Sequence, residues 1–151
     1  MNSMTDKIVV DTNVLVYAYG EGPLDKRTVA LELLDYLMRR QRCVLPCQVL
    51  AEFFNVITRK GDSPMKPAEA RLRIENLLRA AITVDLSPLV VLEAARGVQY
   101  HCMSYYDAQI WAAARLNQIP RVVSEDFASG SSVDGIRFID PFEPGFSIAQ
   151  L

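Results

Sequence analysis

Short β-branched runs alternate along the chain with longer stretches in which apolar residues recur every three to four positions, and Gly or Pro punctuates the changes. The first run, Ile8 to Val10, leads into Val14, Leu15, Tyr17, Ala18 and Tyr19 at helical spacing, so KIVVDTNVLVYAY reads as strand, turn and helix. GEGP at 20–23 breaks that helix. A second is predicted from Asp25 to about Arg40, with Leu31, Leu34, Leu37 and Met38 facing inward. CVLP (43–46) reads as a short buried strand, and CQVLAEFFNVITRK as a helix stopped by Gly61. After the loop GDSPMKP, Pro67 suits a first helical position, and Leu72, Ile74, Leu77 and Leu78 are the apolar residues of the helix that follows. ITVDL, RVVS and IRFIDP supply three more strands, with helices opening at Pro88 (to about Tyr100) and at Ser104 (to about Asn117). The alternation predicts an α/β fold, a mainly parallel five-stranded sheet covered by helices on both faces. Residues Glu143 to Leu151 are expected to form a loose tail or to pack on a partner.

A length of 151 residues, half of them apolar, predicts a single globular domain over 1–151 with a core that needs no staples. The net charge of −2 excludes a protein that coats nucleic acid by bulk attraction, while leaving room for a local basic patch. Cys43, Cys47 and Cys102 form no regular framework, as expected of reduced thiols, which favours the cytoplasm. No run approaches the roughly 18 apolar residues of a membrane span, and the opening MNSMTDK has no apolar core behind its charges. Neither a membrane span nor a signal segment is expected.

Against this background Asp11 is out of place. It follows the first apolar run, at the carboxyl end of a buried strand, which is the edge where open parallel sheets bind ligands. Capping of the next helix by Asp11 or Thr12 is the plainer alternative. Three other acids hold comparable positions. Glu52 borders the apolar stripe of Val49, Phe53, Val56 and Ile57, where a solvated glutamate is the alternative. Asp107 lies beside Ala108, Ile110 and Trp111, and it also stands at capping-box spacing from Ser104. A carboxylate on so apolar a side is costly unless hydrogen-bonded, protonated or bound to a cation. Asp126 follows the RVVS strand, where an Asx turn or a helix cap is the alternative.

All four places can face one edge of a parallel sheet. Carboxylates gathered there cannot all ionise without raised pKa values or a counter-cation. Oxygen donors with no His or Cys cluster beside them favour Mg²⁺ or Mn²⁺ over zinc or copper. His101, the only histidine, reads as a packing or surface residue, and Cys43 and Cys47 lack the partner pairs of a structural zinc site. The sequence contains neither a phosphate-binding Gly-rich loop of the P-loop kind nor a G-x-S-x-G elbow.

On these residues the chain resembles the PIN-domain family, and within it the VapC-type toxin ribonucleases of bacterial and archaeal toxin–antitoxin pairs. The resemblance is carried by VVDTNVLVYA, LAEFFNV, YYDAQIWAAA, VVSEDF and IRFIDPF, in that order along nearly the whole chain. It implies a three-layer α/β/α PIN-like domain that hydrolyses RNA phosphodiester bonds with one or two Mg²⁺ ions, Mn²⁺ being able to substitute. By the same resemblance Asp11, Glu52, Asp107 and Asp126 take the family's acidic positions, as metal ligands and catalytic groups, with Glu52 also a candidate proton acceptor. Thr12, Asn13 and Ser124 match the small polar residues that aim those carboxylates. Glu125 and Asp134 are alternatives to Asp126. A homodimer and a cognate antitoxin protein are the implied partners beside RNA.

Arg39, Arg40 and Arg42, with Arg59 and Lys60, are either solvated helix ends or a track for the RNA backbone. The amphipathic helices at 25–40 and 67–81 serve the core or a partner. The competing functions are a PIN-like RNA-processing nuclease that is no toxin, a catalytically silent binding module, and a haloacid-dehalogenase-like phosphatase. The last wants a second acid two residues after the first, where Asn13 stands.

Overall fold

The computed structural model describes residues 3–151, so the first two residues of the MNSMTDK opening lie outside it. Strand β1 (Ile8–Val10) is followed by α1 (Thr12–Tyr19) and α2 (Leu24–Arg39), then β2 (Cys43–Pro46), α3 (Cys47–Arg59) and α4 (Pro67–Ala80). The second half contains β3 (Ile82–Val84), α5 (Pro88–His101), α6 (Tyr105–Leu116), β4 (Arg121–Val123), β5 (Ser132–Val133) and β6 (Ile136–Ile139). Strands β1 and β2 are buried along their whole length, as strands covered on both faces must be. Among the described residues no helix is long and apolar enough to cross a membrane.

The sheet order is β3-β2-β1-β4-β6-β5. The pairs from β3 through β6 are parallel, and only β5 runs antiparallel, against β6. The chain steps outward from β1 through β2 to β3 and returns to the other side of β1 with β4. Right-handed crossovers therefore place α1 to α4 on one face and α5 with α6 on the other, giving the three layers expected. The reversal between β1 and β4 opens a crevice at their carboxyl ends.

The sheet has one strand more than the sequence pattern predicts. Ser132–Val133 is too short for a period to register, yet the Asp134–Gly135 turn that joins it to β6 has both φ angles positive, at 47° and 83°. That is the backbone an Asp-Gly hairpin turn provides. Helices α2 and α4 bury only part of their expected apolar sets: Leu34 and Leu37 of α2 and Leu77 of α4 turn inward as expected, while others do not. Helix α2 buries Ala30, Leu33, Leu34 and Leu37, leaving Leu31 exposed, and α4 buries Ala70 and Leu77, leaving Leu72 and Leu78 exposed. In each case the inner stripe runs through an alanine at helical spacing, where weighting by side-chain size points elsewhere.

Helices α5 and α6 pack tightly at Gly97, where a Cβ would lie 2.9 Å from Cζ3 of the buried Trp111. At the amino edge of the sheet, buried Arg42 donates to the carbonyls of Asp6 (2.8 Å) and Leu151 (2.6 Å), and Arg121 donates to Leu151 as well (2.7 Å). Phe146 and Leu151 of the 143–151 segment pack on the core.

Candidate active site

Asp11 ends β1 and caps α1. Its Oδ1 accepts from the Thr12 N–H (2.7 Å), the capping bond that local sequence allows, and its Oδ2 accepts from Ser124 Oγ at the end of β4 (2.7 Å). The second bond spans the crevice between the two strands, which capping alone does not explain. Asn13 Nδ2 donates to Ser124 Oγ (3.1 Å) and to Asp126 Oδ2 (3.2 Å), so the first turn of α1 aims both aspartates. Ser124 Oγ also accepts from the Asp126 N–H (3.1 Å).

Glu52, one face of α3, joins from the neighbouring strand connection. Its Oε2 accepts from Thr12 Oγ1 (2.9 Å) and its Oε1 from Gln48 Nε2 (3.1 Å). Gln48 donates in addition to the Tyr106 carbonyl (3.3 Å), tying α3 to the first turn of α6. Asp107 lies on that turn, half-buried, and Ser104 makes no side-chain cap bond there, so the capping alternative for this pair is not realised. Asp107 makes no hydrogen bond to the other three acids, but its charge bears on Asp11 and on Asp126. Of the alternatives to Asp126, Glu125 turns to Tyr17 OH (2.5 Å) and Lys26 Nζ (2.9 Å). Asp134 pairs with Arg96 (3.0 Å) and His101 (3.0 Å), in a separate cluster around Trp111.

The electrostatics follow from this placement. Asp11 is only 4% exposed, and burial pushes its carboxyl from 3.8 up to about 6. The Ser124 and Thr12 bonds oppose the rise, and the nearby charges of Asp126 and Asp107 add to it. Asp126, at the open mouth of the crevice, is also raised, first by desolvation against its Asn13 bond and then by Asp107 and Glu125. The crevice holds more negative charge than its hydrogen bonds offset.

The arginines considered for an RNA track lie elsewhere. Arg39 pairs with Asp35 (2.8 Å), Arg40 covers the Tyr36 ring, and Arg42 is buried; all three precede β2, at the edge opposite the acids. Arg59 and Lys60 close α3 about two turns beyond Glu52. Lys60 borders a cavity of about 400 Å³ with Val16, Tyr19, Ile57 and Met65, and none of the four acids lines it.

The family model of the PIN domain matches residues 8–128. The chain belongs to the PIN-domain family. By sequence, no curated protein matches this PIN domain. By structure it is similar to a chain of a toxin–antitoxin complex from Klebsiella pneumoniae, with TM-score 0.68 and 15% identity over 91% of this chain and 100% of that one. It is also similar to VapC20 of Mycobacterium tuberculosis, a sarcin–ricin-loop-cleaving toxin, with TM-score 0.66 and 20% identity over 87% of this chain and 99% of that one. A DNA-bound VapBC chain from Salmonella typhimurium gives TM-score 0.64 and 16% identity over 89% and 98%. At these identities the likenesses show the PIN-like fold.

Two participants in the site of this PIN domain escape sequence reading. Gln48 is four residues before Glu52 on one helix face, a spacing that could have marked it. Lys26 reaches Glu125 across 99 residues, and no local pattern carries that contact.

Proposed function

We propose that this PIN domain is a divalent-metal-dependent endoribonuclease, the toxin of a toxin–antitoxin pair, which acts as a homodimer and is held in check by a cognate antitoxin. The observation that carries the reading is the grouping of Asp11, Glu52 and Asp126 at the β1/β4 crevice, linked by hydrogen bonds through Thr12, Ser124 and Asn13, with Asp107 near enough for its charge to bear on Asp11 and Asp126; burial first, and then those charges, push the Asp11 carboxyl up to about 6. The structural neighbours, which include a toxin–antitoxin complex, a VapBC and a sarcin–ricin-loop-cleaving toxin, support the partner and the substrate class.

The donor set fits an oxygen-preferring ion. Among the described residues no three acidic, His or Cys side chains close on one ion-sized point. That suits Mg²⁺, which is held by one or two carboxylates together with waters and substrate phosphate rather than by an all-protein cage. Asp11 and Asp107 would hold it, with Asp126 next. When bound, such an ion supplies charge stabilisation at the phosphate and lowers the pKa of water.

The chain's own groups do the rest. Thr12 N–H and Ser124 Oγ fix the two oxygens of Asp11, and Asn13 fixes Asp126. Glu52, held at one oxygen by Thr12 and at the other by Gln48, retains free lone pairs and accepts the proton of the attacking water as its oxygen bonds to phosphorus. The P–O bond to the leaving ribose oxygen then breaks, and that oxygen takes a proton from solvent water to leave as a hydroxyl.

The test is cleavage of a mixed pool of structured RNAs by the purified chain with Mg²⁺ or Mn²⁺ and with EDTA, beside Asp11→Asn prepared identically. Cleavage should require metal and fall on the order of 10²-fold or more in Asp11→Asn. Metal-independent cutting, or near-normal turnover of the variant, overturns the reading; binding of RNA without cutting points to a silent binding module.

A further inference from the structure

Two exposed tyrosines directly precede Asp107 at the start of α6. Tyr105 and Tyr106 open α6 next to Asp107; Tyr106 is 66% exposed and Tyr105 37%, and they meet edge to face with centroids 5.4 Å apart. Tyr105 OH accepts from Gln109 Nε2 (3.3 Å), and Gln109 is buried, so this ring is anchored to its own helix. The Tyr106 backbone is anchored to the site, because Gln48 binds its carbonyl and Glu52 with the same amide nitrogen. Glu52 in turn connects through Thr12 to Asp11. Tyr106 thus sits one residue from one acid and one bridging side chain from another, with its ring in solvent.

The charges around the crevice define what such a ring is for. Phosphate must approach four carboxylates in a chain of net charge −2, and the cation bonded to the site loop, Lys26, is already paired with Glu125. Arg39, Arg40 and Arg42 are at the opposite edge of the sheet. These four cations therefore add little attraction for the backbone, and beside the pull of a bound ion and of Arg59 and Lys60 at the end of α3, a contact that does not depend on charge adds affinity. Stacking of a base on an aromatic ring is such a contact, and every base offers it a face.

We propose that Tyr106, supported edge to face by Tyr105, is the platform on which an unpaired nucleobase of the substrate stacks, positioning the adjacent phosphodiester over Asp107 and Asp11. The proposal rests on the nuclease reading and narrows it: a base inside a continuous duplex cannot reach the ring, so the substrate is a single strand, loop or bulge.

The experiment uses the Asp11→Asn chain, to bind without cutting, and a mixed-sequence single-stranded RNA carrying one 2-aminopurine, whose fluorescence falls on stacking. Binding should quench the probe, and adding Tyr106→Ala should abolish the quenching and weaken binding about 5- to 150-fold. Tyr106→Phe should stay within about twofold, and the dependence of affinity on salt should be the same in all variants, since no ionic contact is lost. The same strand annealed into a blunt duplex should not be quenched by the protein. Undiminished quenching and affinity in Tyr106→Ala overturn the platform, and metal-dependent cleavage by the unsubstituted chain then leaves the nuclease reading standing. Neither binding nor cleavage by the unsubstituted chain overturns both. A Tyr106→Ala chain whose mass in solution changes while RNA binding does not assigns the ring to a contact between copies, and that too overturns the platform.

Discussion

Replacing Asp11 by Asn should stabilise the metal-free protein while lowering the proposed RNA cleavage. The native carboxyl is raised from 3.8 to about 6, chiefly by burial. The folded chain therefore holds this proton more tightly than the unfolded chain does. The stability that the protonated carboxyl contributes is present below about pH 4 and is lost as pH rises through about 6. A displacement of that size corresponds to about 3 kcal/mol. Asn keeps the shape without the charge. Its oxygen can accept the Thr12 N–H, but its amide NH₂ then faces Ser124 Oγ, which already accepts from Asn13 and from the Asp126 N–H. The crowded hydroxyl gives back about 1 kcal/mol. The net expectation is about 1–3 kcal/mol of added stability near pH 7.5, or roughly 2–4 °C in Tm per kcal/mol for a chain of this size. The assay is urea unfolding in EDTA at several pH values between about 4 and 7.5. The advantage of Asn should vanish at the acid end, and Mg²⁺ should narrow it at the neutral end by binding only the native, ionised wild-type site. A variant less stable than wild type near pH 7.5, or a gap that does not change with pH, would refute the argument that an uncompensated charge is buried at the end of β1.

Gly97→Ala should destabilise by about 1–3 kcal/mol in urea unfolding, because the new Cβ would press on the rigid ring of Trp111 at 2.9 Å and outweigh the gain of about 1 kcal/mol in helix propensity. Arg39→Ala with Arg40→Ala should leave RNA cleavage within about twofold, since both side chains lie at the sheet edge away from the acids and make local contacts with Asp35 and Tyr36. A loss of tenfold or more in a cleavage assay would restore them to the RNA path.

How far the site was legible in the sequence depended on the range of the interaction. Asp11 announced itself through the break it makes in an apolar run, and the Thr12 N–H bond it accepts is local. The strand-end placement of Ser124 and Asp126 was readable for the same reason. What was not readable is that Ser124 Oγ reaches Asp11 across 113 residues, or that Glu125 turns to Lys26 while its neighbour Asp126 turns to Asn13. Adjacent acids share their local pattern, so only the distant partner separates them. Arg42 illustrates the converse: a surface-like arginine by sequence, it is buried because two carbonyls, at Asp6 and Leu151, converge on its guanidinium.

The sequence by itself determined the element types, the parallel α/β architecture and the list of acids, because hydrophobic period, capping and turn chemistry act within a few residues of the chain. Which of their apolar residues α2 and α4 bury, the short hairpin strand at the sheet edge and the gathering of the acids were decided only by the tertiary structure. Each depends on strand order: placing β4 beside β1 puts two carboxyl ends in one crevice, and burial there gives Asp11 its raised pKa. Local forces choose the parts, while the cost of burying charge and the close packing of helix faces are set by neighbours that the linear order does not name.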